Sequence, residues 1–140
     1  MEVTLFTCAQ SVALDARTNS VSLFHIIEAI SFPSFPIVCP PLVVVTMVAR
    51  NPDESEAPKL TMKWTLNDVS IFEFPMDMNF QGQMLARNFS DIGGMVLQGP
   101  GTLRAAVYLN DSWEAEWRIE VKKIGGPQIA DTSTERPTEK

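Results

Sequence analysis

Between Thr102 and Lys122 the side chains alternate between apolar and polar almost without interruption. Trp113, Ala115, Trp117, Ile119 and Val121 share one face, and Glu114, Glu116, Arg118, Glu120 and Lys122 share the other. Just upstream, Leu103, Ala105, Val107 and Leu109 form a matching apolar row. A period of two predicts two half-buried antiparallel strands, each with a dry and a wet face. Matching the two apolar rows requires an odd-length connection, which Asn110-Asp111-Ser112 supplies. Lys59 to Leu66 repeats the pattern, with Leu60, Met62, Trp64 and Leu66 inward and Lys59, Thr61, Lys63 and Thr65 outward.

The other elements follow from apolar runs and the breakers between them. Leu5 to Asp15 and Val21 to Glu28 flank the turn-like Arg17-Thr18-Asn19-Ser20 and predict a first hairpin. Its arms are apolar at consecutive positions, as at Ile26 and Ile27, which suits strands near the centre of a sandwich. Pro33, Pro36, Pro40 and Pro41 make the next stretch an irregular connector or edge segment. Leu42 to Arg50 reads as a buried strand, and the polar loop 51–58 would join it to Lys59–Leu66 as a second hairpin.

Val69 to Phe74 and Asp77 to Gln81 are short strand candidates separated by Pro75. In Gln83 to Gly94, Leu85, Phe89 and Ile92 have helical spacing, and Gly93-Gly94 could cap a short helix. The surrounding β signals favour a bent strand instead. Gln98-Gly99-Pro100-Gly101 is a turn. About eight strands with faces that need cover predict an all-β fold, a two-sheet antiparallel sandwich of immunoglobulin-like architecture over residues 1–124. Residues 125–140 carry little to bury and are expected to be a disordered tail.

Charge and composition narrow the function classes. A net charge of −6 argues against a general nucleic-acid binder, because phosphate contacts need clustered Lys and Arg. The longest uncharged stretch, Ala29 to Ala49, contains four prolines, so no membrane-spanning helix is expected there. Met1-Glu2-Val3-Thr4-Leu5 lacks the basic start of a secretory signal, so a cytoplasmic location is expected. Cys8 and Cys39 are the only cysteines and read as free, buried thiols.

Short motifs carry a family likeness. Leu5-x-x-Cys8, Val21-Ser22-Leu23, Ile30, Phe35-Pro36 and the Val43–Val48 strand together resemble a family of small uncharacterised bacterial proteins. The Gly99-Pro100-Gly101 turn feeding Leu103-Arg104-Ala105 is similar to the closing hairpin of immunoglobulin-like modules. Ala9 departs from that pattern, standing where the family would carry an acid. The resemblance implies a cytosolic β-sandwich of unassigned function, and no catalytic or ligand residue comes with it.

Candidate chemistry is sparse. A histidine-based catalytic or metal site would have to be built around His25, the only histidine, and its apolar strand suggests a structural role. Glycine-rich phosphate loops and nucleophile elbows are absent. Asp53, Glu54 and Glu56 could hold Ca²⁺ with help from Asp91, but a solvated hairpin tip is the favoured reading. Asp15, Glu28, Glu73, Asp77, Asp91, Glu114, Glu116 and Glu120 are the carboxylates from which a hydrolytic pair would have to come. Nothing in their spacing singles out a pair.

Pro33-x-x-Pro36 matches a polyproline ligand but sits in an apolar connector suited to packing. Phe32, Phe35, Phe72, Phe74 and Phe80 either fill the sandwich or, in part, line a partner surface. Phe32, Phe35, Phe72 and Phe74 are the candidate partner-binding residues. The resulting expectation is a non-enzymatic binding or assembly module with no cofactor. It would contact a protein partner, or a second copy of itself, through a sheet face or edge. The alternative is a small-molecule or Ca²⁺-binding module or a weakly marked hydrolase.

Overall fold

The alternation of Leu60 to Leu66 becomes a strand whose residues are buried at every second position, and the same physics builds the rest of the chain. A computed structural model describes residues 1–125 and contains eleven strands. They are β1 (Glu2–Leu14), β2 (Val21–Ile26), β3 (Ala29–Phe32), β4 (Ile37–Val38), β5 (Leu42–Ala49), β6 (Leu60–Leu66), β7 (Val69–Met76), β8 (Leu85–Ile92), β9 (Val96–Leu97), β10 (Gly101–Leu109) and β11 (Ser112–Lys123). One sheet has the order β2-β1-β5-β8, a second β3-β11-β10-β6-β7, and β4 and β9 form a short separate pair.

The two large sheets enclose one apolar layer. Cys8, Val44 and Val48 enter it from the first sheet; Met62, Trp64, Leu103, Val107, Trp117 and Val121 enter it from the second. Each fully buried aliphatic side chain there contributes about 1.5–3 kcal/mol. The trace of the expected tail beyond residue 125 lies outside the described residues.

Several expectations change in the folded chain. Leu42–Arg50 and Lys59–Leu66 do not pair with each other. β5 lies between β1 and β8, while β6 lies between β10 and β7, so loop 51–58 crosses from one sheet to the other. The sheets are not wholly antiparallel, because after β2 the chain changes sheets and β3 runs parallel to β11. No strand forms at Asp77–Gln81; β7 continues through Pro75 to Met76. Proline is tolerated there because β7 is a sheet edge, where a missing N–H interrupts no ladder. Gln83–Gly94 does contain a strand, β8, rather than a helix.

The closing hairpin solves its parity problem in two steps. Asn110 and Asp111 both have positive φ (50° and 71°), so the turn has two residues and pairs Leu109 with Ser112. A bulge follows: Tyr108 pairs with Trp113 but Val107 pairs with Ala115, leaving Glu114 as an extra residue. The sum of two turn residues and one bulged residue restores apolar-to-apolar pairing. Trp113 lies on the far side of the bulge and is 51% exposed, whereas Trp117 is buried, so Trp113 is outward and not part of the dry face.

The β6–β7 hairpin uses the same device. Asn67 and Asp68 have positive φ, and the register shifts between the Trp64–Phe72 and Thr65–Ser70 pairs. Asn67 also fastens the neighbouring strand, accepting from Thr102 N–H at 2.9 Å and donating to the Pro100 carbonyl at 3.1 Å. A Cβ on Gly101 would strike that Asn67 side chain, and φ there is +145°, so glycine is required.

β2 is an edge strand, not a central one, and its Phe24 and Ile26 are exposed. The distal part of the β1–β2 hairpin folds back over the outer face of its own sheet. Leu5, Met47 and Arg87 form one row across β1, β5 and β8. Asn19 lies in the hairpin turn, fourteen residues beyond Leu5, or about 45 Å away along a straight strand. Yet Arg87 Nη2 donates to the Asn19 carbonyl at 2.9 Å. The bend falls at Gln10 and His25, where the ladder skips a pair and His25 has φ 57°. Burial agrees, because Val45 on that outer face is fully covered although it lies outside the inter-sheet core.

Candidate functional site

Among the described residues, a cleft of about 820 Å³ runs along the free edge of β7. Leu66, Asn67, Val69, Ser70, Ile71 and Phe72 form one wall; Gly93, Gly94, Met95, Val96, Gln98 and Gly99 form the other. The turn at Asn67-Asp68 sets where β7 begins, and the bulge that follows leaves Ile71 as the extra residue between the Ser70–Thr65 and Phe72–Trp64 pairs. Val69 is 70% exposed at the rim, and Phe72 at the base stacks on Trp64 with ring centroids 6.1 Å apart. The opposite wall faces open space at Gly93 and Gly94, where a Cβ would meet nothing within 4 Å. No lining residue is ionisable. The cleft therefore offers apolar surface, a few neutral polar groups and an unpaired strand edge, which suits binding rather than proton transfer or nucleophilic attack.

The four candidate phenylalanines do not converge. Phe32 lies in β3, packed edge-on against Phe35 at 6.1 Å, at one edge of the five-stranded sheet. Phe72 and Phe74 lie in β7 at the other edge, stacked at 5.7 Å. Four strand spacings, about 19 Å, separate the pairs. Phe32 is buried, and Phe35, Phe72 and Phe74 are half-buried against the core. Of the four, only Phe72 lines the β7 cleft.

The acidic loop is tied up internally. Glu54 accepts from the Met1 ammonium at 2.6 Å and from Asn51 N–H at 2.8 Å, and the ammonium in particular holds its carboxyl below the usual carboxylate range. Glu56 accepts from Gly82 N–H at 2.6 Å. Asp91 pairs with Val43 at the opposite end of β5 from this loop, about 20 Å away. Among the described residues no three His, Cys, Asp or Glu side chains form a metal-binding group. Beside the loop, Arg50 is buried with no carboxylate partner among the described residues. It donates to the Gln83 and Glu54 carbonyls, each at 2.9 Å, and lies 5.3 Å from the Phe80 ring centre. That arginine stitches the crossing loop to the segment before β8.

His25 is exposed and lines a smaller cleft of about 410 Å³ with Cys39 and Glu28. Burial, reinforced by the neighbouring Cys39, pushes the Cys8 thiol up to about 12, and burial raises Cys39 as well. Both are free and in their protonated, unreactive form at neutral pH. The wet face of the second sheet carries an ion pair of Arg104 Nε with Glu116 at 2.8 Å, which raises the Arg104 pKa.

Sequence reasoning passed over the outer face of the first sheet. Leu5, Leu85 and Phe89 lie on it and Phe24 and Ile26 lie on the β2 strand beside it, all exposed. The available signal was the unbroken run Leu42–Val45, which implies cover on both faces of β5.

A model for a family of unknown function, DUF6941, matches residues 4–122, and the chain belongs to that family. No curated protein matches the sequence. Among solved structures, a Pseudomonas fluorescens alkylpurine DNA glycosylase, AlkC, bound to DNA containing an abasic site analog, is similar at a TM-score of 0.41 and 8% identity. The match covers 84% of this chain and 30% of that one.

Proposed function

We propose that this member of the DUF6941 family is a non-enzymatic binding module that takes up an extended segment of a protein partner along β7. The single observation that carries the reading is the β7 cleft: a free strand edge faces an apolar wall, with no ionisable group between them. A peptide added beside β7 would satisfy the unpaired backbone groups of the edge. Its alternate side chains would meet Phe72, Ile71 and Met95. Pro75 limits such pairing to the first half of the strand. The frame is read as an immunoglobulin-like sandwich and its compartment as the cytoplasm, the latter supported by two reduced, buried cysteines.

The test is selection from a displayed random-peptide library, followed by mapping of the selected peptide through amide chemical shifts. The expected peptides alternate apolar and polar residues, shift the amides of Val69–Phe72 and Gly93–Val96, and lose affinity in Ser70→Pro. Selected peptides that map elsewhere, or failure to select any at micromolar affinity, would overturn the reading. A preference for small apolar molecules in the same cleft would instead support the small-ligand alternative.

A further inference from the structure

We propose that the outer face of the four-stranded sheet is an interface with a second copy of this chain, closed by mutual exchange of the β1–β2 arm. This inference is independent of the β7 cleft, which belongs to the other sheet. The occupant follows from identity. In the monomer the arm from Gln10 to Ile26 already lies over this face, and its turn is clasped by Arg87. The arm of a second copy carries the same residues and fits the same surface by construction.

Three features favour the exchange. The hinge is local: the pairs Ala9–Ile26 and Ser11–Phe24 keep one register on both sides of it. Straightening the arm therefore needs no strand slip, and lets Gln10 and His25 resume the pair that the bend breaks. The closed form holds His25 at φ 57°, a left-handed conformation that a non-glycine residue adopts at a cost, and straightening releases it. Finally, Leu5 and Phe89 on the sheet face, with Phe24 on the arm, stay exposed in the monomer. A twofold arrangement places such surface between two copies.

The test combines light scattering after size exclusion with cross-linking of mixed heavy- and light-isotope chains. The protein is refolded from urea at high concentration to permit exchange. The expected result is a dimer that persists on dilution. In chains carrying Asn19→Cys and Arg87→Cys, a bismaleimide should join heavy chains to light ones. His25→Gly, which removes the hinge strain from the closed monomer, should weaken dimerisation by about tenfold or more. His25→Val should strengthen it by a similar factor. If His25→Val fails to fold, the wild-type and His25→Gly comparison decides alone. A protein that stays monomeric at all concentrations overturns the proposal. So does a dimer whose cross-links remain within one chain, or a dimer indifferent to His25→Gly.

Discussion

Deletion of Glu114 and deletion of Arg118 remove one residue each from the same strand, yet the fold treats them differently. Glu114 is the extra residue between the Tyr108–Trp113 and Val107–Ala115 pairs. Its removal closes the ladder with every existing pair intact, and the cost should stay near about 1 kcal/mol, the scale of one cross-strand contact. Arg118 sits in the regular part of the ladder, opposite Arg104. Its loss forces Ile119 and Val121, now buried, onto the wet face, and swings Glu120 and Lys122 toward the core.

Two lost apolar burials amount to about 3–6 kcal/mol, before the cost of bringing charges inward. That is a large part of a typical domain stability of about 5–15 kcal/mol. Urea unfolding followed by tryptophan fluorescence reads the difference. With a slope of about 2 kcal/mol/M, the Glu114 deletion should lower the midpoint by about 0.5 M and the Arg118 deletion by about 1.5–3 M. Equal losses in the two variants would refute the bulge assignment and the inward phase of β11 with it.

The same assay separates the tryptophans: Trp117→Ala should cost about 3–5 kcal/mol, and Trp113→Ala less than about 1 kcal/mol. Arg50→Met should cost about 1–3 kcal/mol, because two part-buried carbonyls lose their charged donor; an unchanged urea midpoint would mean that water replaces the guanidinium freely. The raised Cys8 pKa means that the folded state holds the thiol proton more tightly than the unfolded chain. That contribution is complete below pH 9, the ordinary thiol value of 9.0, and is lost as pH climbs toward about 12. Cys8→Ala should therefore flatten the alkaline loss of stability, and a thiol reagent at pH 8 should label the native protein only as it unfolds.

Much of the fold was legible because alternation is a local property. Leu60–Leu66, Leu103–Leu109 and Ala115–Val121 show their dry faces in the order of their residues, and those faces are buried as read except at Ala115, which is half-buried. Leu85–Ile92 had helical spacing at three positions, yet it pairs with β5, since neighbouring backbone groups decide what an eight-residue segment becomes. The site was less legible. Phe72 was visible as a candidate, but Gly93–Gly99 reads as mere turn residues until the chain brings it opposite β7.

By itself the sequence determined which faces must be dry, where turns fall and that the closing hairpin needs an odd offset. Those follow from the pleat and from the conformational limits of Pro, Gly and Asn. Only the tertiary structure decided how the odd offset is divided between turn and bulge, which strands are neighbours and which sheet face stays partly exposed. Trp113 shows the reason: one unpaired residue reverses the side of every side chain beyond it, and the position of the bulge is fixed only when β11 pairs with β10 in the folded sheet.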